Sequence, residues 1–248
     1  STSLSASDGS TVTLSGTART YTITPAVLGI SVSAVYNGTT TFTNASITTT
    51  GKAAWDTINS VTVNSANANG ASTYVTAIGG TSTVGTFSSS NYLIDASYNG
   101  TLSNGLPVNG SQITATNKVN ISPAPLGVTV NGVYSGSTIV TPASFTVTGL
   151  VNGQTITTIS SATVNNINVS ANNSNYVTGI TVGSGTASMS NYSIATAYNT
   201  LAGNTQNIVT LTPKALSVAG ITIAPKTYDG TTNAVVSGGS LVGVVASD

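Results

Sequence analysis

Apolar and polar residues alternate with a period of two along much of this chain. The pattern is plain in "ISVSAVY" (Ile30 to Tyr36), "INSVTVN" (Ile58 to Asn64), "SFTVTGL" (Ser144 to Leu150) and "ATVNNINVS" (Ala162 to Ser170). Period two in Val, Ile, Thr and Tyr predicts half-buried strands, because successive side chains point to opposite faces. No useful length shows the 3.6-residue period of an amphipathic helix. Turn signals separate the runs. Asn-Gly, the strongest short hairpin signal, occurs seven times, at Asn37, Asn69, Asn99, Asn104, Asn109, Asn131 and Asn152. Chance pairing of 25 Asn with 26 Gly would give about 2.6, so the excess is a turn signal.

The same pattern recurs at long range. "ITPAVLGISVSAVYNGTT" (Ile23 to Thr40) returns as "ISPAPLGVTVNGVYSGST" (Ile121 to Thr138), and more loosely as "LTPKALSVAGITIAPKTYDGTT" (Leu211 to Thr232). "STYVTAI" (Ser72 to Ile78) matches "SNYVTGI" (Ser174 to Ile180), and "SSSNYLIDASYNGTL" (Ser88 to Leu102) matches "SMSNYSIATAYNTLA" (Ser188 to Ala202). The tyrosines fall into the same columns: Tyr36, Tyr134 and Tyr228; Tyr74 and Tyr176; Tyr92 and Tyr192; Tyr98 and Tyr198, with Tyr21 alone outside. Self-similarity at a fixed period points to a tandem array.

The boundaries follow from the columns. Residues 1–24 read as the closing strand of a preceding copy, 25–121 as copy one, 122–212 as copy two, and 213–248 as the opening strands of a third, truncated copy. Asp248 shares a column with Asp56 and Gln154. The expected fold is all-β: tandem small antiparallel β-sandwiches of Ig-like type, six to eight strands each, in an elongated rod. A β-helix is the alternative, disfavoured because it would repeat at a much shorter period. Pro25, Pro123 and Pro213 sit at the junctions, where a fixed φ and an extended preceding residue leave little slack.

Composition narrows the chemistry. The chain has 248 residues, of which 4% are charged, with five Lys and Arg against five acids. All five acids are Asp (Asp8, Asp56, Asp95, Asp229 and Asp248), and His, Cys and Glu are absent. A net charge of zero gives no electrostatic footprint for nucleic acid. Absent Cys removes disulfides and thiolate chemistry, and absent His removes the commonest general base. No run approaches the roughly 18 apolar residues of a membrane helix. The chain opens at Ser1 without a charged-then-apolar leader, so a signal peptide is expected to be cleaved or to lie upstream. Neither a catalytic residue, a cofactor site nor a metal site is expected.

The most chemical-looking stretch is "KTYDGTT" (Lys226 to Thr232). Its columns read Tyr36-Asn37-Gly38, Tyr134-Ser135-Gly136 and Tyr228-Asp229-Gly230. Asp, Asn and Ser interchange while Tyr and Gly persist, so the carboxylate is no acid, base or ligand. What the three share is a side-chain oxygen that caps a turn, followed by Gly where φ is positive. "TPKALSV" followed by "KTYDGTT", with "SNY" about sixty residues beyond the motif in the complete copies, resembles the YDG-type repeats of large bacterial surface proteins of the filamentous-haemagglutinin and high-molecular-weight adhesin class. Only the third copy carries the literal motif. The resemblance implies export, an extracellular or cell-surface location, and a stalk or adhesive role without enzymatic activity.

Other candidates are weighed on the same columns. Five scattered Asp do not make the oxygen-rich cage that calcium needs. Lys214 aligns with Ala26 and Ala124, so no Lys–Asn crosslink recurs. Asn-X-Ser/Thr sequons number eight, about the chance expectation for this composition. Trp55, in "GKAAWDTI", aligns with Gly153 of an Asn-Gly turn, which places it on a hairpin tip as a surface contact or a loop anchor. The leading expectation is a structural stalk segment. Self-association into a fibre, or direct binding of an extracellular glycan, host receptor or matrix component, are the alternatives.

Overall fold

The structure, a computed structural model, describes residues 2–5, 11–14, 23–95, 98, 102–103, 114–199, 206–246 and 248. It is all-β. The described residues form several separate sheets, none closed into a barrel, with three single-turn 3-10 segments as the only helical structure. The chain divides into two compact units that do not follow the sequence copies. The first takes residues 1–124 together with Val151–Gln154 and Ser188–Ser193; the second takes the remainder.

In the first unit the strands run β1 (Thr2–Ser5), β2 (Thr11–Leu14), β3 (Ala26–Val27), β4 (Gly29–Val35), β5 (Thr41–Phe42), β6 (Ser46–Thr50), β7 (Asp56–Val63), β8 (Val75–Ser82), β9 (Tyr92–Leu93), β10 (Leu102–Ser103), β11 (Thr114–Ala115) and β12 (Asn117–Ser122). One sheet has the order β12-β4-β6 and another β5-β7-β8. The buried residues alternate as the sequence pattern requires: β12 reads buried–exposed throughout, and Ile30 and Val32 of β4 are buried with Val119 and Ile121 of β12. Ile58, Val61 and Val63 of β7, with Val75 and Ile78 of β8, are the buried residues of the second sheet.

The remaining strands are β13 (Ala124–Val133), β14 (Ile139–Val140), β15 (Ser144–Thr148), β16 (Ile156–Val164), β17 (Val177–Gly185), β18 (Tyr192–Ile194), β19 (Asn207–Thr212), β20 (Ser217–Ile223) and β21 (Val236–Val242). Here β13 pairs with β15 and β19, and β16 lies between β14 and β17. Val128, Val130, Val209 and Leu211 are fully or almost fully buried. One register is common to the aligned segments: Gly29 faces Thr50, Gly127 faces Thr148, and Ser217 faces Val242. The β20–β21 ribbon differs in burial. Val218, Ile221, Leu241 and Val242 are about half exposed, whereas Ile30 and Val128, in the column of Val218, are buried.

Three expectations need correction. The sheets are mixed, not wholly antiparallel: β12 lies parallel to β4, β19 parallel to β13, and β9 parallel to β3. A hairpin cannot make a parallel pair, so each opening strand finds its neighbour some 80 residues away, at a loop-closure cost that local pattern does not reveal. Second, Asn131-Gly132 is no turn but the interior of β13. Gly132 is required there because a Cβ would stand 2.4 Å from Val140 Cγ1. Third, Trp55 is not on a hairpin tip. It ends the link between β6 and β7, which belong to different sheets. The predicted strand over 162–170 also stops at Val164, and Val169–Ala171 forms a 3-10 turn. Of the other Asn-Gly pairs, Asn99, Asn104 and Asn109 lie outside the described residues.

Candidate functional site

The Tyr-x-Gly columns form preorganised turns. Gly38, Gly136 and Gly230 have φ of 76°, 70° and 73°, where an L side chain is strained. Asn37 Oδ1 accepts from the backbone N–H of Thr39 at 2.9 Å, and Asp229 Oδ1 accepts from that of Thr231 at 3.0 Å. Asn and Asp therefore do the same work by the same atom. Ser135 occupies the equivalent place beside Gly136. Lys226 adds an exposed ion pair to Asp229 at 2.8 Å. That pairing, with the donated bonds from Thr231, lowers the Asp229 pKa below the ordinary carboxylate value.

What the turns present differs sharply. The Tyr36 ring is 5% exposed and stands edge-on to Tyr192, with ring centres 5.5 Å apart at 82°. Its hydroxyl accepts from Gln154 Nε2 at 2.6 Å, and the Tyr192 hydroxyl donates to Gln154 Oε1 at 2.5 Å. The Val151 N–H donates to the Tyr192 hydroxyl at 3.2 Å. One amide side chain thus joins two tyrosines, using both ends of its donor–acceptor capacity. Asn152 Nδ2 donates to Gly38 O at 2.9 Å, and the Ala68 N–H donates to Asn191 Oδ1 at 2.8 Å. All these residues belong to the first unit, because Val151–Gln154 and Ser188–Ser193 pack with it. In the second unit, the half-buried Tyr134 donates through its hydroxyl to Asp248 Oδ1 at 2.7 Å. Tyr228 is 93% exposed.

The Asp56–Gln154–Asp248 column is therefore the counterpart of the tyrosine column. Asp56 is itself buried, accepting at Oδ2 from the Tyr92 hydroxyl at 2.5 Å, while the Ala53 N–H donates to that hydroxyl at 3.1 Å. Burial first, and the Asp56 carboxylate second, raise the Tyr92 pKa above that of a free phenol. Burial raises Tyr192 likewise. Lys52 donates from Nζ to the backbone carbonyls of Ala53 and Asp56, tying down the loop before β7. Trp55, 37% exposed, sits beside Asp56, and its carbonyl accepts from the Thr83 N–H at 3.0 Å.

Two residues that the sequence reading passed over hold each fold together. Asn117 and Asn207 are completely buried. Asn117 Oδ1 accepts from the Val75 N–H at 2.9 Å, and its Nδ2 donates to Val75 O at 2.8 Å and to Asp95 O at 2.6 Å. Asn207 does the same with Val177, at 2.8 Å each way, and also donates to Ala195 O. A side-chain amide here copies a strand's backbone pairing and ties β12 to β8, which belongs to another sheet. The signal available was positional: Asn opens both closing strands, "NKVNIS" and "NIVTLT".

Among the described residues there is no group of three acids, His or Cys that could hold a metal, and no helix long and apolar enough to cross a membrane. Compared with known proteins, the chain matches no family model, no curated protein and no solved structure.

Proposed function

We propose that this chain is a non-catalytic structural segment of an extracellular, cell-surface or secreted bacterial adhesin: a stalk of tandem small β-sandwiches that projects a binding region and so serves cell adhesion. The observation that carries this reading is the repeated closure of a Tyr-x-Gly turn on the next member of the Asp56–Gln154–Asp248 column, Tyr36 on Gln154 and Tyr134 on Asp248. The polar groups that first suggest chemistry are engaged with one another. A stalk needs its successive copies held at a fixed seam, and hydrogen-bonded tyrosines on positive-φ turns supply one. The resemblance of "KTYDGTT" to YDG-type repeats supports the same role.

Small-angle X-ray scattering of the full chain tests it. A rod gives a radius of gyration well above the ~18 Å of a compact chain of this length, and EDTA leaves its Tm unchanged. A compact particle, or strong destabilisation by EDTA, removes the reading. A second reading, direct binding of a glycan, is favoured by the half-exposed indole of Trp55 beside the Asp56–Tyr92 pair.

A further inference from the structure

The first unit contains a cavity of about 370 Å³ whose lining includes Pro25, Lys52, Trp55, Asp56, Asn91 and Tyr92. Its columns are those that hold the Tyr36 turn further along the chain. Asp56 aligns with Gln154, Asn91 with Asn191, Tyr92 with Tyr192, and Trp55 with Gly153. At that second place the seat is full. The Tyr36 ring lies against Tyr192, its hydroxyl bonds Gln154, Gly38 O accepts from Asn152, and Asn191 receives the Ala68 N–H. Burial records the difference: Asn191 is 3% exposed, whereas Asn91 is exposed.

The complementary inequality lies in the turns. The Tyr228–Gly230 turn has the backbone of the Tyr36–Gly38 turn, with φ of 73° against 76° at its Gly and the same side-chain cap. Yet Tyr228 is 93% exposed where Tyr36 is 5% exposed. The chain thus holds a seat without its turn and a turn without its seat, both built on columns that meet elsewhere in the same molecule.

We propose that the Asp56–Tyr92 cavity is a docking site for the Tyr228–Gly230 turn of a second copy of this chain, giving head-to-tail association. The recognition chemistry is a phenol entering a largely apolar slot with an acceptor at its floor. The Tyr228 ring takes the place beside Tyr92 that Tyr36 takes beside Tyr192. Its hydroxyl donates to the Asp56 carboxylate, as Tyr134 donates to Asp248 at 2.7 Å. Asp56 where the filled seat has Gln154 makes this bond charge-assisted, and such bonds are shorter and stronger than neutral ones. Trp55 where the filled seat has Gly153 adds an aromatic wall to the rim. A turn and a seat at opposite ends of one chain form a heterologous contact, which propagates into filaments when the rotation does not close a ring. The site stands apart from the stalk reading: it predicts self-association whether or not the chain is carried on a cell surface.

The only Trp of the chain lines the cavity, so fluorescence reads the site directly. The reporter is the full chain bearing Tyr228→Ala, which keeps the seat and Trp55 but has no turn to offer. The titrant is the full chain bearing Trp55→Phe, which keeps the turn and is dark. Docking predicts a saturable blue shift of Trp55 emission and reduced quenching by acrylamide. The effect should weaken at least tenfold when the titrant also carries Tyr228→Ala, a change at an exposed position that leaves its Tm unaltered. The proposal is overturned by an unchanged spectrum up to millimolar titrant, or by a shift indifferent to Tyr228. A shift produced by oligosaccharides and not by titrant also overturns it and marks the cavity as a sugar site.

Discussion

Truncating each tyrosine of the Tyr36, Tyr134 and Tyr228 column should give graded costs, although sequence treats the three alike. Tyr36→Ala removes a ring that is 5% exposed and packed edge-on against Tyr192. Deleting a buried aromatic side chain costs about 3–5 kcal/mol through lost transfer energy and the cavity left behind. Within that figure, Tyr36→Phe isolates the hydroxyl. It removes one hydrogen bond, from Gln154 Nε2 at 2.6 Å. Gln154 is half-buried, so water recovers part of the loss, and the expected cost is about 1 kcal/mol. Tyr228→Ala should fall within about 0.5 kcal/mol of wild type, because a 93% exposed side chain has almost no packing to lose. Urea unfolding followed by Trp55 emission is the assay, since Trp55 and Tyr36 belong to the same compact unit. With m of about 2 kcal/mol/M, a 4 kcal/mol loss moves the midpoint by about 2 M. If Tyr228→Ala costs as much as Tyr36→Ala, or Tyr36→Ala costs under about 1 kcal/mol, the seam does not hold the first unit together and the argument from its geometry fails.

Asn117→Ala should destabilise the first unit by about 3 kcal/mol, since it strands the buried N–H and C=O of Val75; scanning calorimetry would show it, and a cost below about 1 kcal/mol would mean water replaces the amide. Gly38→Ala should cost more than Gly230→Ala, because both break a positive-φ site at about 1 kcal/mol or more, but only at Gly38 does the new Cβ meet another atom, Asn152 Cβ at 2.5 Å. Equal losses on chemical denaturation would show that the contact relaxes freely. The raised pKa of Tyr92 predicts alkaline destabilisation. An unfolded tyrosine ionises near pH 10 while folded Tyr92 stays protonated, so its contribution is complete below about pH 10 and is lost as pH rises through the folded value. Stability measured against pH should fall less steeply above pH 10 in Tyr92→Phe, and parallel curves would refute the coupling.

Local pattern was enough to reveal the strands. Alternation in "ISVSAVY" and "INSVTVN" reports which face of an extended segment is buried, and β4 and β7 lie where it says. The Tyr-x-Gly columns were equally legible, because a positive φ and a side-chain cap are local properties of three or four residues. The identity of each strand's neighbour was not. β4 accepts β12 in parallel and β13 accepts β19, pairings across some 80 residues that no period-two pattern encodes, since either direction buries the same alternating face. Asn131-Gly132 carried a turn signal, yet the packing of Val140 against β13 made its Gly a strand residue. Trp55 was visible as an oddity, but only the folded chain put it beside Asp56 and Tyr92. Asn117 looked like one of many amides; full burial against Val75 turned it into a cross-sheet strand mimic. Sequence determined which residues extend, turn and seek burial, because those choices follow from each residue's own geometry and solvation. Tertiary structure decided which groups meet, because pairing is settled by the best simultaneous burial and hydrogen bonding across distant segments. That competition made Tyr36 a buried clamp and left Tyr228, in the same column, facing solvent.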